Sequence, residues 1–180
     1  KVVPKSNTRI DGIIIDTVSE LSKKYQRSLI NQEGMMQMKD WGKLKNTLDK
    51  LMDMLTTLPG ILICNCHSKI QHMDDGGSKL VPYIDGSSKE DISKWFDFVF
   101  YCKAKTNLKG GTEYLCRTAR TEKYDNAKDR TQLLDPEIPQ DYQLVFNAVE
   151  KKGWDGAKIL IIGSPGAGKT YSLKTINKEA

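Results

Sequence analysis

The chain has 180 residues, 38% of them hydrophobic and 28% charged, and its 28 Lys and Arg against 23 Asp and Glu give a net charge of +5. That length suits one α/β domain with a sizeable core, and no apolar run approaches the roughly 20 residues that a membrane-spanning helix needs. Four cysteines without paired spacing do not make a disulfide scaffold, which excludes a small secreted domain and predicts a reduced, cytoplasmic setting. Lys1, with neither an initiator Met nor a signal-peptide pattern, reads as a cut or trimmed end.

In chain order, residues 10–17 (IDGIIIDT) have a continuous β-branched centre, the pattern of a buried parallel strand. Asp11 precedes the apolar run and reads as solvated. Residues 38–58 place Trp41, Leu44, Leu48, Leu51, Met52 and Leu55 at helical spacing, and Pro59 and Gly60 stop that helix. Residues 60–67 (GILICNCH) read as a second buried strand. Residues 68–91, rich in Gly, Ser and Asp, read as a loop too long to be idle. Residues 96–102 (FDFVFYC) and 113–121 (EYLCRTART) predict a hairpin turning at Gly110 and Gly111. A Pro-punctuated stretch at 135–139 and a short amphipathic helix at 142–151 lead to a last buried strand, 158–162 (KILII). Buried strands alternating with helices predict a mainly parallel α/β sheet.

Charge is uneven. Between residues 101 and 130 there are eight Lys or Arg and four Asp or Glu, so +4 of the +5 lies in one sixth of the chain. A solvated face and an anion-binding surface both fit that bias.

The strongest motif follows KILII. Gly163, Ser164, Pro165, Gly166, Ala167, Gly168, Lys169 and Thr170 match G-x-x-x-x-G-K-[ST], between a buried strand and a predicted helix. Glycines let the backbone curl so that successive N–H groups meet phosphate oxygens. Lys169 reaches the β- and γ-phosphates of ATP, and the Thr170 hydroxyl is a ligand for Mg2+. The metal needs a carboxylate too, at the end of a strand beside the first, and Asp16 closing IIID is that residue by pattern. Cys64, Cys66 and His67 invite a zinc reading, but no C-x-x-C pair supports it, and Cys64 and Cys66 fall on the opposite strand face from His67. A circularly permuted GTPase would need an Asn-Lys-x-Asp reader, and Asn177, Lys178, Glu179 and Ala180 lack the Asp.

Taken together, IIIDTVSEL, QMKDWGKLKNTLDKLMDML, GILICNCHSK, DDGGSKLVPYIDG, WFDFVFYCK and EYLCRTARTEKYDNAKDRTQLLDPE resemble the RecA-like P-loop ATPases of tailed bacteriophages associated with single-strand annealing and homologous recombination. The resemblance implies a single RecA-like ATPase domain over residues 1–180: a mainly parallel sheet flanked by helices, with a β-hairpin toward its C-terminal side. Residues 1–157 would run from the Walker B strand past AKDR, and 158–180 would carry the phosphate-loop strand and helix. It further implies ATP and Mg2+ as cofactors, single-stranded DNA as ligand, a recombinase or annealing partner, no membrane, and the cytoplasm of a bacterial host. His67 would sense the γ-phosphate at the root of a DNA-contacting loop, 68–91. Lys128 and Arg130, in AKDR, would act in trans on a neighbour's γ-phosphate within a homo-oligomer. Residues 22–37 would form the other DNA-facing loop, with Lys23, Lys24 and Arg27 on phosphate and Tyr25 stacked on a base.

The motif order departs from the family, where the phosphate loop comes first. The segment that would hold the catalytic glutamate is missing, and Glu20 is not at the matching position. A natural circular permutation, pieces joined out of order, and a fragment of two units all give such an order; the incomplete or reordered chain is the preferred expectation. The missing glutamate leaves open an alternative function, a nucleotide-binding or DNA-binding accessory module that does not hydrolyse.

Overall fold

The computed structural model of the protein describes residues 12–31, 34–107 and 110–176. Ile10 and Asp11 of the first predicted strand, and Asn177, Lys178, Glu179 and Ala180, lie outside them. The isoleucine run forms β1 (Gly12–Asp16). Thr17 then caps α1 (Val18–Leu29), its hydroxyl accepting the Glu20 N–H at 3.2 Å. The residues expected to begin a DNA-facing loop at 22 are therefore helical as far as Leu29. Tyr25 packs against the core and its hydroxyl accepts from Thr47 at 3.0 Å, so it does not present a free ring to a base.

In α2 (Met38–Thr56), Leu44, Leu48, Met52 and Leu55 line the buried stripe that their spacing predicts, while Trp41 lies at its edge against Gly86. Beyond the helix comes β2 (Ile61–His72), 12 residues long and running five residues past the end of GILICNCH. Its outer half pairs antiparallel with β3 (Ser78–Pro82), from Ser68 opposite Pro82 to His72 opposite Ser78. Most of the expected 68–91 loop is thus a projecting hairpin, followed by the short helix α3 (Ser88–Asp91) and a 3-10 turn (Ile92–Trp95).

The predicted hairpin is β4 (Phe98–Thr106) and β5 (Thr112–Arg117), with Cys102 facing Cys116 across it. Two very short strands follow, β6 (Lys128–Asp129) against β4 and β7 (Glu137–Pro139) against β5. Helix α4 (Tyr142–Lys151) leads into β8 (Ala157–Gly163), and α5 (Lys169–Ser172) continues into a 3-10 turn (Leu173–Thr175).

The sheet order is β1-β2-β8-β4-β5-β7, with β1, β2, β8 and β4 parallel. This is a mixed α/β fold of P-loop NTPase type, with a central sheet covered on both faces. One face packs Leu62, Cys64, Cys66, Val99, Tyr101, Leu160 and Ile162 against α1 and α2. The other packs Ile63, Phe98, Phe100, Ile159 and Ile161 against Tyr142, Val145 and Val149 of α4 and Ala167 of the glycine-rich loop. Both sides of β8 are therefore apolar, which is why KILII reads as one unbroken hydrophobic run. One expectation is corrected here: β1 is not beside the phosphate-loop strand, because β2 lies between them.

Within that core Asn65 is fully buried, and neither atom of its amide has a hydrogen-bond partner. Among the described residues no helix is long and apolar enough to cross a membrane.

Candidate functional site

Parallel strands that end together place their following loops together, and β1 and β8 do so here on either side of β2, which runs on. In register, His67 of β2 lies opposite Gly163 of β8, while Asp16 of β1 lies opposite Asn65, two residues earlier on β2. The carboxyl ends of β1 and β8, with His67 midway along β2, thus surround one cleft of about 330 Å³, lined by Asp16, Thr17, His67, Tyr114, Pro165, Gly166, Gly168, Lys169, Thr170 and Tyr171. Asp16, His67, Lys169 and Thr170, chosen from three separate stretches of sequence, all meet there. Among the described residues no glutamate lines it, and Glu20 instead pairs with Lys23 on the surface of α1.

The loop has the shape its sequence requires. Gly166 and Gly168 take φ of +79° and +84°, left-handed values that side chains rarely adopt. A Cβ on Gly163 would come within 2.8 Å of the Cys102 carbonyl oxygen, so that strand end also demands glycine. Gly166 faces open space, which leaves room on the concave side for a ligand.

Lys169 is buried, and its ammonium donates to the carbonyls of Gly163 at 2.7 Å and Ser164 at 2.9 Å. Burial holds its pKa below the ordinary lysine range, with Cys102, Asp16 and Cys66 opposing that shift. A lysine with so few partners is positioned to exchange two neutral carbonyls for anionic oxygen.

Thr170 Oγ1 donates to Asp16 Oδ2 at 2.7 Å, a contact between residues 154 positions apart. The Asp16–Thr17 peptide is cis. A hydroxyl and a carboxylate oxygen side by side at the mouth of a glycine cradle are a hard-oxygen donor set of the kind Mg2+ takes when it keeps several waters. The residues present fit that ion together with a phosphate chain.

His67 sits at the junction of sheet and hairpin. Its N–H donates to Ser19 Oγ at 2.9 Å, and its carbonyl accepts from Tyr83 at 2.6 Å, tying α1 and the segment after β3 to the same residue. Its Nδ1 is buried and unpartnered. Burial lowers the imidazole pKa below 6.5 and Lys169 lowers it further, joined by Lys23 and opposed by Glu20 and Asp16. The unfolded chain therefore binds a proton first as pH falls through 6.5. Stability from this group is complete above that value and is lost below it. Denaturant unfolding at pH 7.5 and 5.5 should show a larger acid loss for the parent than for His67→Gln; equal losses would remove His67 as the cause.

Cys64 and Cys66 point away from His67 into the α1–α2 core, where burial pushes their thiols up to about 12 and about 11. Protonated thiols turned from the cleft do not join His67 in a metal set.

Lys128 and Arg130 are not in the cleft. Lys128 donates to the Ser93 carbonyl at 2.8 Å, and burial, followed by the Arg130 charge, lowers its pKa. Arg130 pairs with Asp97 at 3.0 Å, and Asp97 also takes the Lys158 N–H at 3.0 Å. Lys158 lies near the opposite end of β8 from Gly163, about 17 Å along a strand rising about 3.3 Å per residue. Both side chains lean away from Asp129, as alternation predicts, while Asp129 holds the turn by accepting from Thr131, Leu133 and Leu134.

Two groups at the site carried no motif. Gln140 Nε2 donates to the Ala167 carbonyl at 2.6 Å, bracing the loop from the β7 side. Tyr114 lies over Gly168, where a Cβ would come within 3.0 Å of its ring. Their partners are remote in sequence, and only the β4–β5 hairpin prediction hinted that residue 114 would reach this end of the sheet.

A protein-family model described as an AAA domain matches residues 1–131. No curated protein matches the chain, and no solved structure does. The matched region takes in Asp16, His67, Lys128 and Arg130 and ends before the phosphate loop, so the loop's motif and geometry are separate support for the same chemistry.

Proposed function

The chain belongs to the AAA domain family, and from that premise we propose that it hydrolyses ATP with Mg2+ and couples the reaction to single-stranded DNA in phage recombination or annealing. The observation that carries the nucleotide half is the Thr170–Asp16 hydrogen bond, which joins the phosphate loop to the carboxylate strand at one cleft. Loop amides bind the phosphate chain, and Lys169 turns from its two carbonyls to phosphate oxygens. Asp16 and Thr170 would hold Mg2+, which when bound neutralises charge on the β- and γ-phosphates. His67 lines the same cleft, and its Nδ1 is buried beside it without a partner, which supports a role in sensing the terminal phosphate.

The DNA half is supported by the resemblance and by the hairpin rooted at His67. Ile70 and Met73 are exposed on it, whereas Lys69 and Lys79 are paired with Asp85 and Asp125. The contact we propose is accordingly apolar, with Ile70 and Met73 packed against or wedged between bases near the hairpin tip, and with coupling by reorientation of the hairpin.

Arg130 is too far from its own cleft to act there, so its proposed target is a neighbouring subunit, with Lys128 beside it. Arg130→Ala should abolish DNA-stimulated ATP turnover while leaving ATP affinity unchanged; normal turnover in the assembled state would exclude the trans finger. The surface pair with Asp97 is worth at most about 1 kcal/mol, so folding is not at stake. A non-hydrolysing module is the second reading, favoured by the lack of a glutamate among the described residues lining the cleft. Turnover no greater than that of Lys169→Ala would select it.

A further inference from the structure

Tyr171 is 61% exposed, immediately after the Lys169–Thr170 pair, and is the most exposed aromatic ring among the described large hydrophobic residues. It does not stand alone: its ring lies 5.9 Å from that of Tyr114, with 30° between their planes, and both line the cleft. An exposed aromatic ring backed by a half-buried one at the mouth of a phosphate site calls for an explanation, because such rings are ordinarily packed.

The cleft is polar at one end and aromatic at the other. Strand order makes it so: β1 and β2 bring Asp16 and His67 to one side of β8, while β4 and β5 bring Tyr114 to the other. Metal and terminal phosphates belong on the Asp16 side, where Thr170 donates to the carboxylate. A phosphate chain running through the loop from that side delivers its nucleoside to the tyrosines. Resting on the nucleotide-binding reading above, we infer that Tyr171 is the nucleobase platform of this site, with Tyr114 as its buttress.

The buttress is fixed by packing. Tyr114 is held over Gly168, and the Tyr114 carbonyl accepts from the Gln140 N–H at 3.0 Å, which anchors β5 beside β7. On Tyr171, the Lys174 ammonium lies 4.4 Å from the ring centroid. That exposed cation is cheaply displaced by a base. Recognition by stacking uses the π-face that every base has, so the platform favours nucleotides over bare polyphosphate more than one base over another.

The test is calorimetric titration of the full chain with Mg2+ and either ATP or inorganic tripolyphosphate, which has the phosphates and no base. Tyr171→Ala should weaken ATP roughly tenfold to a hundredfold, the range of one lost base–aromatic stack, and leave tripolyphosphate unchanged. Tyr171→Phe should restore ATP affinity. Equal weakening of both ligands, or no weakening of ATP, overturns the platform while leaving the phosphate loop standing. Failure of the parent chain to bind either ligand overturns the nucleotide reading and the platform with it.

Discussion

Lys169→Ala is expected to weaken Mg-ATP binding by about a hundredfold or more, equivalent to about 2.7 kcal/mol, and to leave the protein folded. The ammonium is the one cation described in the cleft lining, and its two present partners are neutral carbonyls of its own loop. Charge-assisted hydrogen bonds to phosphate oxygens are worth about 1.5–3 kcal/mol each, against about 1 kcal/mol for the neutral bonds they replace. Removing a cation that is already desolvated also removes its burial cost, so the unliganded variant should melt near the parent. The contrast appears on adding ligand. At a hundred times its dissociation constant, Mg-ATP should stabilise the parent by about 2.7 kcal/mol, or about 5–10 °C for a domain of this size. A variant that gains the same shift in a thermal melt would show that phosphate binds elsewhere.

The second large effect is on folding. Gly156 precedes β8 and Gly60 precedes β2, and the two backbones run so close that a Cβ on residue 156 would fall on the Gly60 carbonyl, its carbon 2.8 Å away. The obstacle is backbone, not a side chain that can swing aside. Gly60 itself has φ +83°, and its carbonyl accepts the Lys158 ammonium at 3.1 Å, so it has little freedom to retreat. Separating the strands there would strain the Ile61–Ala157 register from which the β2–β8 pairing begins. Gly156→Ala should cost about 3 kcal/mol, at the upper end of ordinary overpacking, a large share of the 5–15 kcal/mol typical of a whole domain. Urea unfolding measures it, and a variant within about 0.5 kcal/mol of the parent, no more than a surface change, would mean the backbones are not in contact.

Composition and period were enough to read four of the parallel-sheet elements, because buried β-branched runs such as IIID and KILII have few other uses. The phosphate loop was legible for a related reason: left-handed glycines at fixed spacing leave few alternatives. Strand adjacency was not legible, since β1, β2 and β8 are equally apolar and nothing local says which is central. The outer half of β2 was hidden by composition. Ser68, Lys69, Gln71 and His72 look like loop residues, yet Asp75 and Gly76 between two extended stretches carry a hairpin signal that polarity obscured. Tyr114 and Gln140 were invisible because their importance comes entirely from β5 and β7 folding back beside the loop. AKDR was read for its two cations, and nothing local showed that they are tethered to Ser93 and Asp97, contacts over 33 to 35 residues.

The uninterrupted run of β2 through His67 has a mechanical consequence. No hinge residue separates the half that lies in the sheet from the half that pairs with β3. The five residues beyond His67 extend about 17 Å at about 3.3 Å each, so a tilt of about 10° at the histidine would sweep the turn through about 3 Å. A stiff arm of this kind converts a small angular adjustment beside the phosphate loop into a displacement comparable to the spacing between stacked bases.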